Sequence, residues 1–331
     1  MYVLRFRAAD LARVRFAVSP LWEAMAAVRA LVDPRTRTHH LPWLEAVRPL
    51  LADLDLMPLL ALQPRRGYTP DFPTPVPSCP LPNVRDQLAL VRTTPLDQVR
   101  EEVRRALADR GGEPVPPGAE ELVGDPGRTR ARVTAALESV WEALVAPHWP
   151  QLRELLEADI AHHGRLLAER GLEHVLPLLH PAIAWTGDAV VIEKGHLQQT
   201  RTLAGAGLLL LPSAFTWPAL AVVIDEPQQP ALVYPARGIA ELWQPVTSAA
   251  REGLSRLLGR TRATLLASLR EPASTTTLAR RHGLATATVS QHLATLRDAG
   301  LVSPRRHRHS VLYQSTDLGD RLTTGRPADP G

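Results

Sequence analysis

Apolar residues recur at helical spacing over most of the chain up to Gly171, then give way to short β-branched runs. Alternation over residues 3–7 predicts a strand with one buried face. Ser19-Pro20 supplies an N-cap and an N1 proline for a helix through Trp22, Met25, Val28, Ala30 and Leu31. Further helices are predicted over 41–54, 83–93, 95–109, 127–145 and 149–170, the last closed by Gly171. Prolines recurring between 58 and 82 predict an extended, irregular connection, and 111–118 reads as a loop. Strands follow over 183–185, 189–193, 208–211, 219–224 and 231–234, the last two forming a hairpin around 225–230. No repeat of solenoid period is present. Helices followed by strands predict the α+β class: a mainly helical N-terminal domain with a small antiparallel sheet.

The pattern changes again over 257–313. Leu265, Leu266 and Leu269 put an apolar side on a helix over 261–269. Ser274 is a fitting N-cap for a second helix over 275–282, with Leu278 and Ala279 inward and Gly283 closing it. The turn 283–285 precedes Thr286, expected to cap a third helix ending at Gly300. Two helices joined by so short a Gly-containing turn read as a helix-turn-helix, the third helix as its recognition helix.

On that helix Val289, Leu293 and Leu296 form the packing stripe, while Ala287, Thr288, Gln291, Ala294, Thr295 and Asp298 point away. Gln291 has the donor–acceptor pair that matches adenine N6/N7, and Thr288 suits a base edge or a thymine methyl. Ser290 and His292 flank the stripe and suit phosphate oxygens at the groove lip. Residues 301–302 and 310–313 read as two strands enclosing an arginine-rich wing. There Arg305, Arg306 and Arg308 are expected on the backbone or in the minor groove. Thr275, Thr286, Thr295 and Arg297 complete the set of expected DNA-contacting residues.

Charge sharpens this picture. The net +4 is modest, but from Arg256 onward there are twelve arginines against five acidic residues. That stretch carries +7, leaving −3 for the rest. A hydrophobic content of 45% excludes a mainly disordered chain. No apolar run approaches the ~18–20 residues of a membrane span, and the start of the chain lacks an apolar signal region. The single cysteine, Cys79, forms no intramolecular disulfide. A soluble cytoplasmic protein without membrane association is expected.

The run 288–302, TVSQHLATLRDAGLV, followed by the arginine-rich turn and Ser310-Val-Leu-Tyr313, resembles the recognition helix and wing of ArsR-type winged helix-turn-helix regulators. This likeness covers about 254–323. The remainder resembles long regulators of GC-rich bacteria, in which an uncharacterised domain precedes such a module. Phrases at 16–22, 66–72 and 232–238 carry that second likeness. The resemblance implies a homodimer on a double-stranded DNA operator, usually repressing. Metal sensors of the family use a Cys-x-Cys-type motif on the helix before recognition, or Asp/His pairs on a terminal helix. Here 274–282 contains no Cys and nothing after Tyr313 is His, so metal sensing is not implied.

Other constellations read more plainly. His307 and His309 form His-x-His without a third ligand, which favours a protonatable residue near phosphate. Asp159 and His163, at i and i+4 beside His162, are the best metal candidate of the N-terminal domain, against a solvated helix face. His39-His40 reads as a helix entry and Gly205-Ala-Gly207 as a flexible turn. A lone Cys79 without a base or cationic neighbour reads as inert. Seven tryptophans, all between Trp22 and Trp243, fill a core or line an apolar effector pocket.

The expected organisation is an α+β dimerisation or sensing domain at 1–251, a winged helix-turn-helix at 252–323 and a disordered tail at 324–331. The expected function is a sequence-specific transcription regulator, not an enzyme, without cofactor or metal. A small-molecule effector would act at the N-terminal domain. Two alternatives are weighed: a catalytic or ligand-binding N-terminal domain merely localised by the DNA module, and a non-specific architectural protein.

Overall fold

The alternating N-terminal segment forms β1 (Tyr2–Arg5), then α1 (Ala8–Leu11) and β2 (Arg15–Phe16). They belong to a computed structural model that describes residues 1–32, 37–193, 199–226, 228–243, 248–269, 272–307 and 310–324. Ser19 caps α2 (Pro20–Val32), its hydroxyl accepting the Trp22 N–H at 3.2 Å, with Pro20 at the first helical position. The helix expected over 41–54 is instead α3 (Arg37–Val47) running into a 3-10 turn at Arg48–Asp53. The proline-rich connection is irregular apart from α4 (Met57–Ala61), which starts with Pro58 in its first turn.

α5 (Val84–Thr93) begins at Asn83, whose Oδ1 accepts the Arg85 N–H, and α6 (Leu96–Ala108) follows. After α7 (Glu121–Gly124), Asp125 caps α8 (Pro126–Val140) through the N–H groups of Gly127 and Arg128. A π-turn (Trp141–Val145) and a 3-10 turn (Ala146–His148) lead into α9 (Trp149–Arg170). Gly171, at φ 80°, ends α9 and opens α10 (Leu172–Leu179), a helix the apolar spacing did not announce. Leu21, Val28, Trp43, Leu88, Val103 and Leu137 are among the fully buried side chains of this helical core.

The strands form two four-stranded sheets. In the first, β3 (Ile183–Trp185), β4 (Ala189–Ile192), β1 and β5 (Gln199–Thr202) lie in that order, with β1 antiparallel to β4 and parallel to β5. In the second, β2, β6 (Leu209–Ser213), β8 (Ala231–Pro235) and β7 (Ala221–Val223) follow one another. β7 and β8 are the expected antiparallel hairpin, whereas β2–β6 and β6–β8 are parallel. The fold is α+β, but its sheets are mixed rather than antiparallel: β1 inserts between β4 and β5, β2 adds at the edge beside β6, and β8 lies parallel to β6 with β7 outside it. α11 (Ile239–Leu242) ends this region.

Polar side chains tie the sheets to the helices. Asp159 on α9 accepts hydrogen bonds from His163 Nδ1 (3.1 Å), Tyr234 Oη (2.7 Å) and the Arg237 N–H (2.9 Å). All three side chains are buried, so Asp159 and His163 form an internal clamp, neither a solvated face nor a pair open to an ion. Among the described residues no group of three His, Cys, Asp or Glu is placed to hold a metal. His39 and His40 lie in the first turn of α3, as a helix entry; His40 is in addition buried, tilted against Phe215, and its Nδ1 accepts the Trp243 indole N–H at 2.7 Å. Gly205-Ala-Gly207 is a turn whose two glycine amides donate to Asp10 Oδ1. Trp22, Trp43, Trp141, Trp149 and Trp243 pack in or against the helical core.

The chain divides into two compact units, Met1–Trp243 and Gln244–Gly331. The division lies ahead of Arg251, which is inside α12 (Ser248–Leu258). Among the described residues no helix is long and apolar enough to cross a membrane.

Candidate nucleic-acid interface

The C-terminal unit is built on one apolar cluster. α13 (Arg260–Ala267) contributes Leu265 and Leu266, α14 (Thr275–His282) contributes Leu278 and Ala279, and α15 (Thr286–Asp298) contributes Val289, Leu293 and Leu296. The stripe on α15 is the one its spacing predicts, and burying it aims the opposite face outward. Ser274 caps α14 by accepting the Thr277 N–H at 3.2 Å. Gly283 takes the left-handed conformation (φ 64°), and the N–H groups of Gly283 and Leu284 both return to the Ala279 carbonyl. That closure sets the short turn between the two helices.

The N-cap of α15 is Ala285, not Thr286, which is already the first helical residue. Alanine offers no side-chain acceptor, so the N-cap residue leaves the first-turn N–H groups of α15 without a side-chain cap of its own. An uncapped helix N-terminus carries partial positive charge and suits a phosphate oxygen.

Ala287, Thr288, Ser290 and Gln291 are exposed beside it, so the residues expected to read bases are accessible. The other expected contacts are less uniform. Thr275 and His292 are half-buried. Thr295 is exposed, but its hydroxyl donates to the Gln291 carbonyl at 3.1 Å. Arg297 turns to its neighbour Asp298, with Nη2 2.8 Å from Oδ1, a pairing that raises its pKa further. An arginine held this way must exchange that partner for phosphate. The adjacent acid is what the helical wheel leaves out, since neighbours in sequence are not expected to meet on a helix.

The arginine-rich turn lies on a hairpin. β9 (Ala273–Ser274) pairs with β11 (Ser310–Ser315), which pairs with β10 (Val302–His307) from Val302↔Ser315 to His307↔Ser310. Arg305 is exposed on β10, and Arg306 stands in register with Val311. Arg308 and His309 lie outside the described residues. The hairpin is anchored at its base, where Leu301 and Val302 join the apolar cluster. Helix α16 (Asp317–Thr324) then packs back on α12 and α13. Gly319 lets α16 also approach the turn after α15, because a Cβ there would stand 2.2 Å from the Leu301 carbonyl oxygen. Sequence reasoning did not single out Arg280 and Arg281, exposed near the end of α14; their place in the basic stretch from Arg256 onward was the available signal.

Comparison with known proteins agrees with this geometry. Residues 257–305 match a family of helix-turn-helix domains, and residues 85–240 match a family of unknown function (DUF5937). The second match begins after β1 and β2, although both strands are integral to the sheets. No curated protein and no solved structure matches the chain. The C-terminal unit thus contains a region similar to helix-turn-helix domains of the kind found in DNA-binding transcription regulators, preceded by a region that matches a family of unknown function.

Proposed function

We propose that the protein is a sequence-specific transcription regulator of ArsR type, acting as a homodimeric repressor, with β10 and β11 as its wing. The observation that carries this reading is the division of α15. Val289, Leu293 and Leu296 are buried, while Thr288 and Gln291 are exposed beside the uncapped helix N-terminus. In a major groove these two side chains read base edges, and Ser290, Arg280, Arg281 and the wing arginines meet phosphate. Dimerisation is supported by α12 and α16, where Leu257 and Leu318 are 72% and 53% exposed. Two such helices side by side place recognition helices in successive major grooves, ~34–36 Å apart. The N-terminal unit is the sensing part, its effector acting by binding two states of the protein unequally.

Selection from randomised duplexes tests the reading. An enriched inverted repeat, protected by two copies of the chain, is expected. Retention of all sequences alike overturns sequence-specific regulation in favour of architectural binding.

A further inference from the structure

Two adjoining clefts open on the N-terminal unit, of about 510 and 650 Å³, each in the size range of small-molecule sites. They share Arg15, Gln228 and Gln229. The first has a mixed lining, with Phe72, Pro75, Val76, Leu90 and Pro95 among its apolar groups and Thr93, Thr94 and Gln98 among its polar ones. The second is walled by Arg13, Arg15 and Arg201 around the Gly205-Ala206 turn.

The ridge between the clefts is held from both sides. Gln228 accepts the Val76 N–H at 2.8 Å and donates to the Asp71 carbonyl at 3.2 Å. Gln229 donates to the Ala206 carbonyl and accepts from Arg15 Nη2, both at 2.8 Å. The amides are thus occupied by structure, whereas among the described residues two of the three cations have no carboxylate partner. Arg13 donates to the Gly205 carbonyl and Arg15 to the Gln229 amide, and among the described residues neither pairs with a carboxylate. Arg201 donates to the Ile224 and Gln228 carbonyls and lies 3.9 Å from Glu226, which is 85% exposed. Of the other acids near the clefts, Asp10 is buried and accepts the N–H groups of Arg7, Gly205 and Gly207, Glu102 accepts from Gln98 and the Asp71 and Phe72 N–H groups, and Asp225 pairs with Arg105.

We propose that this double cleft binds a small organic anion, a carboxylate, sulfonate or phosphate ester, whose head meets Arg13 and Arg15 and whose apolar body lies against Leu90, Val76 and the prolines. The arginine forks face open space with donors to spare, and planar guanidinium groups match such heads bidentately. Arg15 lines both clefts, so one molecule reaching across Gln228 and Gln229 meets the arginines with its head and the apolar residues of the first cleft with its body. This site would give the N-terminal unit the effector role assigned to it above, and it rests on that reading only for its regulatory meaning.

The test is a titration of the full chain, without DNA, with 8-anilinonaphthalene-1-sulfonate. Saturable binding of one molecule per chain is expected, displaced by octanoate but not by octylammonium or inorganic phosphate. The exposed pair Arg13→Ala/Arg15→Ala should weaken both anions about tenfold, with an unchanged urea midpoint. Leu90→Asp should weaken them without touching the cations. Unaltered affinity in the arginine variant, equal displacement by octylammonium, or no saturable binding overturns the proposal. None of these results bears on operator selection, so failure of the cleft leaves the DNA-binding reading intact, and the reverse holds as well.

Discussion

The two units bury different things. Among the described residues, the C-terminal unit hides one polar side chain, Thr323, beneath an otherwise apolar cluster. The N-terminal unit hides Asp10, Glu23, His40, Gln87, Arg110, Asp159 and His163. A small unit that offers its polar groups to a partner needs only a stripe and caps to fold. The larger one joins helices to sheets through polar groups, which are secure only while every partner is in place. The contrast teaches that substitutions in the first unit should act through packing or through its partner. In the second they should act through unpaired interior atoms.

All seven tryptophans lie in the N-terminal unit, so indole fluorescence reports on that unit and DNA binding on the other. The largest effect is expected at Asp159→Ala, which strands His163, Tyr234 and the Arg237 N–H in the interior. A loss of ~4 kcal/mol should appear as a lower urea midpoint by fluorescence. Asp159→Asn, which keeps an acceptor oxygen, should lose visibly less. If both variants unfold alike at the wild-type midpoint, the clamp is not what joins α9 to β8.

Leu293→Ala is the counterpart in the C-terminal unit. Emptying that position should destabilise the unit by ~3 kcal/mol and weaken operator binding, with the fluorescence midpoint unmoved. A shift in the fluorescence midpoint would break the comparison between the units.

Glu23 comes next. Burial pushes its carboxyl up to about 7, against hydrogen bonds from Ser213 and the Ala214 and Phe215 amides, and its Oε1 has no partner. The unfolded chain releases this proton at an ordinary carboxylate pKa, while the folded chain holds it to about 7. Stability from this group is therefore complete at low pH and lost as pH rises through that window. Glu23→Gln should raise the unfolding free energy read by fluorescence at pH 8 by roughly 2–3 kcal/mol and change little near pH 4.5. Asp71, pushed to about 8 first by burial and then by Glu102 and Asp225, leaves a slope of the same sign in the variant. His40, lowered to about 4 by burial and then by His39, contributes the opposite slope in acid. A variant as pH-dependent as wild type would show that Glu23 ionises normally.

The smallest effects separate reading from holding on the DNA side. Gln291→Ala should lose about 1–2 kcal/mol on the selected operator and almost nothing on random duplex. Arg305→Ala should weaken both alike and reduce the salt slope by ~1. Uniform loss in both variants would remove Gln291 from the base-reading face.

Legibility follows the same division. Ser19 and Ser274 cap the helices they precede, and Gly171 and Gly283 close the ones they follow, because capping acts within a few residues. The stripe on α15 and the pair β7–β8 were readable for the same reason. The cap at Ala285 was not, since threonine is the better capping residue and the turn geometry overrode that preference. Nor was the Arg297–Asp298 pairing, which limits one expected phosphate contact.

What the sequence determined by itself is the local architecture: the helix-turn-helix, its buried stripe, its exposed Thr288 and Gln291, and the basic excess around them. What only the tertiary structure decided is everything joined across distance. Asp10 meets Gly205, Glu23 meets the Ala214 amide, and His40 meets Trp243, each pair separated by about two hundred residues. The insertion of β1 between β4 and β5, and the meeting of Arg13 and Arg15 with the 228–229 ridge, belong to the same class. Periodicity and capping report the fields a residue feels from its chain neighbours. A buried carboxylate's partner or a cleft's second wall is chosen by packing, and packing brings together segments that carry no record of one another.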